Sequence, residues 1–556
     1  MKSGRDIYLQ FFRYYHTLKA MKFSQIVNFI LFYHRRKKLT IIDSKRVSLM
    51  AEGLEANFHL EEDQKNVEFL FFNQLLNVSL DEMKWEPKDY AYNAGEFWVK
   101  QLNSFEFLNN YKESNISDKQ IIFLIIDWIA KNTNEHSENW EPYTLSKRLT
   151  TWVKWLNNNQ VPPEVTSIMK LSISLQLKRL FVDLEYHKPA HHLFENIRGF
   201  LFGCSSIINS SQYFNNEVEY QLEEVLEEAI KQLKIQILED GGHFERSPMI
   251  HSNVLEIVKD IKELAKTISK QGFLLPEVLD KSHKLVSLCD EKIKIMTLWL
   301  EYLTMPDGYV AQFNDCSKIK GIGHSFEEFT QLLEASGFFV KHEKNYSFVL
   351  SCGSPSPNFL PEHSHCDIFS YELSINGNRA IIDSGCSGYD NEVLRLMSRE
   401  TEAHNVPMIQ HQEQSDIWGK FNLGKRARII EKTYDSEKSE LKLTIEDQFK
   451  QLIERKVIFS NNKIEIYDSL KKRRLQGCFI SILHLSPELE TEITKEESSN
   501  MVICKMTNEN KFSIITEANI RIGDYISFPD FGKSIGAKML FISNKEAEVL
   551  SYAIKW

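Results

Sequence analysis

The chain has no Cys-x-x-Cys pair. Its eight cysteines, Cys204, Cys289, Cys316, Cys352, Cys366, Cys386, Cys478 and Cys504, are scattered. That pattern fits reduced thiols better than a disulfide framework or a thiolate zinc site. A membrane-length hydrophobic run is missing too. The most apolar N-terminal piece, IVNFILFY, is far too short to span a bilayer, and no small-residue cleavage site of a secretory leader accompanies it. There is no basic excess: 67 Lys and Arg stand against 77 Asp and Glu, a net charge of -10. This removes the electrostatic case for nucleic acid, and any acidic ligand must be met by a local basic cleft. Glycine is scarce early on, with only Gly4, Gly53, Gly95, Gly199 and Gly203 in the first 240 residues.

What fills that glycine-poor half is helical periodicity. NVEFLFFNQLLNVSL, DKQIIFLIIDWIAKN, YTLSKRLTTWVKWLNNN and TSIMKLSISLQLKRLFVDLEYH repeat apolar residues at three and four. They read as successive amphipathic helices with short polar breaks. Repeated helical hairpins make a bundle, a solenoid or a closed toroid, and periodicity does not choose among these. The N-terminus reads as one or two amphipathic helices ending in the basic run His34 to Lys38. That run is a solvated helix end or a contact for an anionic membrane surface. After about residue 340 the pattern alternates instead. KNYSFVLSCG, FSYELSINGNRAIIDSG, RKVIFSNNKIEIYDSL and MVICKMTNENKFSIITEA are broken by Asn-Gly, Asn-Asn and Asn-Glu-Asn turns. These are antiparallel hairpins, and the last 210 residues or so read as an all-β sandwich. The expected division is an N-terminal extension over 1–44, a helical domain over 45–335 and a β-domain over 336–556.

One stretch carries chemistry: PEHSHCDIFSYELSINGNRAIIDSGCSGYD, residues 361 to 390. An Asn-Gly turn divides strands expected at 367–375 and 379–384. A two-residue loop would place His365 and Asp383 on opposite faces, whereas a three-residue loop would bring them to one face. The three-residue loop is therefore expected if they act together. Imidazole and carboxylate suit zinc, and His404 is the third ligand that would leave one position open. Hydrogen-bonded structural histidines are the alternative.

This stretch resembles the C-terminal signature of the heparinase II/III-like polysaccharide lyases. The matching residues are His363-Ser364-His365-Cys366-Asp367, Gly377, Asp383-Ser384-Gly385, Tyr389 and Arg399-Glu400-Thr401-Glu402-Ala403-His404-Asn405, followed by QSDIWGKFNLGKRARI. In the helical half HHLFENIRGFLFG (191–203) and QILEDGGHFERSPMIHSNVLE (236–256) resemble the family's helix and Ser-Pro-x-Tyr-His blocks. TLKAMKFSQIVNFILFYHRRKK is similar to members found in bacterial surface-polysaccharide gene clusters. The resemblance implies α+β multidomain architecture: an (α/α) toroid, then an antiparallel β-sandwich, with the site between them.

It also implies β-elimination at a uronic acid in an acidic polysaccharide. Such chemistry needs a carboxylate neutraliser, a base for the C5 proton and an acid for the leaving oxygen. The implied catalytic set is His191, His192, Glu195, His363 and Tyr389. Glu245, Arg246, Arg399 and Asn405 would contact substrate, and His365, Asp383 and His404 would hold a mainly structural zinc. Two positions depart from the family. His191 stands where it has asparagine, and Ile250 where it has the catalytic tyrosine. An isoleucine cannot move a proton, so a carbohydrate-binding or assembly role without elimination is the competing reading. The missing leader predicts a cytoplasmic protein, at most peripheral to the inner membrane; the periplasm of exported members is the alternative.

Overall fold

The helical periodicity of the first half is realised over most of its length. In the computed structural model, which describes residues 4–38, 44–56, 58–90, 94–113, 115–323, 328–489, 500–506 and 511–556, the N-terminus forms two helices, Gly4–Ala20 and Phe23–Lys38. Asp118–Lys131, Pro142–Asn158 and Pro163–Val182 follow as expected. Their starts carry the signals of the sequence. Ser117 accepts a hydrogen bond from Gln120 N in a capping box, and proline opens the next two helices. His191–Ile207, Asn216–Gln236, Pro248–Ser269 and Pro276–Tyr302 complete the run.

One helix expectation is wrong. NVEFLFFNQLLNVSL is a β-hairpin, with Asn66–Phe71 paired to Gln74–Ser79. Val67, Phe69 and Phe71 are buried while Asn66, Glu68 and Leu70 are exposed, a strict period of two. Phe72 and Asn73 turn the chain at φ 52° and 59°. A left-handed residue pair is a primed hairpin turn, which no helix accommodates. Apolar residues on both strands had mimicked a spacing of three and four.

The chain divides into two units that interleave in sequence. One comprises Lys22–Gln236 and Val254–Ile293; the other Met1–Met21, Ile237–Asn253 and Lys294–Trp556. In the helical unit, buried Arg148 is a central tie. Its Nε donates to Gln176 Oε1 at 3.0 Å, and its Nη1 to Asn103 O and Asn139 O at 3.0 and 2.9 Å. Its guanidinium lies 3.8 Å from the Trp128 ring centroid. Helices Pro142–Asn158 and His191–Ile207 meet at Gly199, where an added Cβ would lie 2.6 Å from Ser146 Cα.

In the other unit all strand pairings among the described residues are antiparallel, apart from one isolated bridge, Gly385 to Phe528. Phe329–Leu333, Phe338–Glu343, Tyr346–Ser351, Tyr371–Ile375 and Asn378–Ile381 form a five-stranded meander. Seven- and four-stranded sheets complete the sandwich, sharing a core that includes Phe348, Tyr371, Leu443, Val457, Ile466 and Leu483. Asn461-Asn462 turns between paired strands, as expected. The Asn-Glu-Asn turn at 508–510 lies outside the described residues.

Gly199→Ala tests the helix crossing. Alanine gains roughly 1 kcal/mol of helix propensity, but forcing a methyl against backbone costs about 1–3 kcal/mol. Net destabilisation in urea is expected; a more stable variant would show that the crossing is not close-packed.

Candidate functional site

Asp315 follows the last long helix, in the stretch Phe313-Asn314-Asp315-Cys316, and is fully buried. Its carboxylate gathers most of the polar residues of the β-unit site. Arg395 grips both oxygens, Nη2 donating to Oδ2 at 2.8 Å and Nη1 to Oδ1. His363 Nδ1 donates to Oδ2 at 2.6 Å, and His365 Nε2 to Oδ1 at 2.8 Å. Tyr389 OH donates at 3.3 Å and Cys386 Sγ at 3.4 Å. Burial alone would raise the Asp315 pKa, but Arg395 and the two histidines outweigh it and hold the carboxyl well below its usual range.

The same anion affects its two histidines differently. Burial would lower His363, yet the bond to Asp315, that anion's charge and Glu245 keep it above its ordinary value. For His365 burial wins, taking it to about 3, so its ring is neutral. His363 Nε2 lies 3.7 Å from Glu245, itself buried. His365 Nδ1 is buried with no hydrogen-bond partner. The Tyr389 ring packs between Phe421 and Phe531, with the Arg395 guanidinium 5.2 Å from its centroid.

The hairpin behind these residues differs from expectation. Its loop has two residues, Asn376 and Gly377 at φ 48° and 84°, not three. A bulge deeper in the ladder supplies the missing shift: Ser374 pairs with Arg379 but Leu373 with Ile381. One extra residue changes the face of everything beyond it, as a longer loop would have done. The strand begins only at Tyr371, so His365 reaches the site from irregular chain. Asp383 Oδ2 accepts from Ser370 Oγ at 2.6 Å, and His404 Nδ1 donates to both Asp383 oxygens at 2.9 and 3.0 Å. Burial would lower His404, but Asp383 and then Asp367 hold it raised. The His365 and His404 rings lie 5.4 Å apart. Gly385 is required two residues on, because at φ 80° a Cβ would meet Phe528 O at 2.3 Å.

Several expected substrate contacts are committed to the fold. Arg399 is buried and donates to Ser364 O at 3.0 and 3.2 Å and Lys420 O at 2.9 Å. Asn405 donates to Tyr371 O and Ile382 O at 2.8 and 2.7 Å and accepts from His484 N at 2.6 Å. Arg246, at φ 57°, donates to Ala335 O at 3.2 Å and to Ser354 O. Ile250 is buried in the first turn of its helix, its N donating to Ser247 Oγ.

In the helical unit, His191 opens its helix with its ring against His192 and Tyr143. His192 Nδ1 is 3.2 Å from Glu185 Oε1, and burial pulls its pKa to about 4 despite that carboxylate. Glu195 is buried and accepts from Arg198 at 2.6 and 2.7 Å. The sequence reading missed Asp315 and Arg395. Arg395 does lie one helical turn before Arg399, a spacing that places both on one helix face. Asp315 has no comparable signal in the sequence.

Among the described residues, Asp315, His365 and Cys386 each offer a ligand atom within 4.8 Å of the others. Arg395 already supplies positive charge there and donates to Cys386 Sγ at 3.3 Å. His365 Nδ1 is left without a partner, and Asp383 and His404 are bonded to each other.

Models of the heparinase II/III N-terminus and of the heparinase II/III-like C-terminal region match residues 5–338 and 330–548. The chain belongs to the heparinase II/III family. It is similar to a crystal structure of heparinase III, with TM-score 0.67 and 18% identity, over 93% of this chain and 85% of that one. Against the heparan sulfate lyase HepC from Pedobacter heparinus the values are 0.56 and 15%, over 94% and 87%. Against a heparinase III gene product they are 0.59 and 15%, over 91% and 88%. The likeness establishes the fold, an (α/α) toroid followed by an antiparallel β-sandwich. No curated protein sequence matches the chain significantly.

Arg395→Met tests whether Asp315 is the hub. Breaking a buried ion pair leaves an uncompensated charge at a cost of about 3–5 kcal/mol. A loss of this size in denaturant unfolding is expected near neutral pH; a loss under about 1 kcal/mol would mean that the pair is solvated.

Proposed function

We propose that the protein is a lyase acting on an acidic, uronate-containing polysaccharide by β-elimination, with His363 as base. The observation that supports this most strongly is the buried 2.6 Å bond from His363 Nδ1 to Asp315. With its Nδ1 proton held there, the neutral ring offers Nε2 as the proton acceptor. Nε2 takes the C5 proton, the C4–C5 double bond forms and the C4–oxygen bond breaks. Tyr389 protonates the departing oxygen, its phenolate answered by the nearby Arg395 guanidinium. By the family resemblance His191 stands at the position of the carboxylate neutraliser, and His192 follows it on the same helix. Since burial keeps His192 neutral, it would act by hydrogen bonding. We assign Glu195 to positioning this helix through Arg198, and Glu245 to orienting His363.

The second reading is a carbohydrate-binding or surface-polysaccharide assembly protein without turnover. Ile250, buried where the family has tyrosine, is the observation that favours it. The eight unpaired thiols support a reducing, cytoplasmic location over the periplasm.

The assay is ultraviolet detection of an unsaturated uronate across a panel of uronic-acid polymers. Active protein should lose about 10²–10⁴-fold in kcat on His363→Ala. Because the His363 pKa is raised and the base must be neutral, kcat/KM should climb with pH along a limb centred above 6.5. A limb below 6.5, or full activity in the alanine variant, places the base elsewhere. Glycan binding with no unsaturated product supports the second reading.

We also propose that His365, Asp383 and His404 hold zinc. The cation would satisfy His365 Nδ1 and replace the proton that His404 shares with Asp383. Bound there it supplies fixed positive charge that locks the hairpin. Elemental analysis should find about one zinc per chain. Asp383→Ala should lose that metal and lower the unfolding midpoint. Metal-free purified protein that is unchanged by added zinc would remove the assignment.

A further inference from the structure

The helix Phe23–Lys38 faces its apolar stripe outward. Its inner side is seated by a few contacts within the helical unit. Gln25 is buried and donates Nε2 to His187 O at 3.4 Å. Phe32 is 6% exposed and packs against the His187 ring, centroids 4.4 Å apart. Arg36 donates to Ser137 O at 3.2 Å and lies 3.9 Å from Asp183. At about 100° per residue, Phe23, Val27, Ile30 and His34 fall on the opposite stripe from Gln25 and Phe32. Phe23 is 79% exposed and Ile30 63%, and Leu31 and Tyr33, which flank this stripe, are exposed as well. Single apolar side chains on a surface are ordinary, but four exposed ones on one helix, Phe23, Ile30, Leu31 and Tyr33, are more than a solvated face needs and point to an interaction face.

Charge identifies the occupant. The chain carries -10 overall, yet this helix, FSQIVNFILFYHRRKK, contains no acidic residue and ends in five consecutive basic ones. An apolar outer stripe with a polybasic end is the composition of a helix lying in a bilayer interface, where rings and aliphatic groups enter the acyl boundary and cations meet anionic headgroups. No helix among the described residues is long and apolar enough to cross a membrane.

We propose that the helix Phe23–Lys38 docks this protein on an anionic bilayer surface, through Phe23, Ile30 and Leu31 and the basic residues His34 and Arg35. The docking is independent of the histidine site and of its chemistry. The test is co-sedimentation of the full chain with vesicles of phosphatidylcholine alone, or mixed equally with phosphatidylglycerol. Binding to the anionic vesicles should be at least about tenfold tighter and should be released by salt. The double variant Phe23→Ser/Ile30→Glu should weaken it at least about tenfold with an unchanged unfolding midpoint, since both side chains lie in solvent. Equal binding to both vesicle types, no binding to either, or undiminished binding of the variant overturns the proposal. A concentration-dependent dimer that the variant abolishes, without vesicle binding, gives the face to a second copy and also overturns it. If the variant lowers the midpoint, the parent decides: binding that resists salt overturns the proposal.

Discussion

The site depends on one buried anion. A carboxylate removed from water is tolerated only when paired and fully hydrogen-bonded, and Asp315 meets that condition through Arg395 together with His363 and His365. Because the guanidinium neutralises it, Asp315 accepts and never donates, so each histidine must turn an N–H toward it. That requirement orients both rings. It leaves the second nitrogen of His363 3.7 Å from Glu245 and the second nitrogen of His365 buried without a partner. Two imidazoles one residue apart are thereby given different tasks: one is held charged more readily than a free histidine, and the other is held neutral.

The scaffold is organised to keep that anion dry and its partners in register. Asn405 ties both strands of the hairpin to the strand Phe479–His484 through three backbone groups. Arg455, itself buried against Asp468, donates to Asn405 O at 2.6 Å and Phe369 O at 2.9 Å. Arg399 holds the backbone at Ser364, between the two histidines. These residues resemble a ligand-binding set in sequence because they are polar and closely grouped. Their side chains are spent on carbonyl groups, so their contribution to function is positional. Stability and chemistry are consequently coupled, and a loss at Arg455 or Arg399 would reach the histidines through the backbone.

Much of this was legible beforehand, for physical reasons. Helices with capping residues and long apolar periodicity, such as Asp118–Lys131, announce themselves locally. So do hairpins with Asn-Gly or Asn-Asn turns. The hairpin Asn66–Ser79 is not legible because Phe72-Asn73 is a poor-looking turn and exposed Leu70 and Leu75 on either side of it break the apolar–polar alternation. The three-residue loop expected at the Asn-Gly turn is a two-residue loop with a bulge at Ala380, and a bulge leaves no mark in sequence, whereas a turn does. Asp315 was invisible because its partners come from 48 to 80 residues away and nothing in its own neighbourhood repeats. Ile250 carried the opposite lesson, since its importance was clear only from the residue that the family has in its place.

The central claim is that Asp315 fixes the tautomer of His363 and raises its pKa. Nitrogen-15 NMR of ring-labelled histidine, titrated with pH and assigned by His363→Gln, tests it directly. The account predicts a His363 signal that titrates above 6.5, keeps its proton on Nδ1 in the neutral form, and moves to lower pKa in Asp315→Asn. A His363 that titrates at or below 6.5, or whose neutral form carries the proton on Nε2, would contradict it.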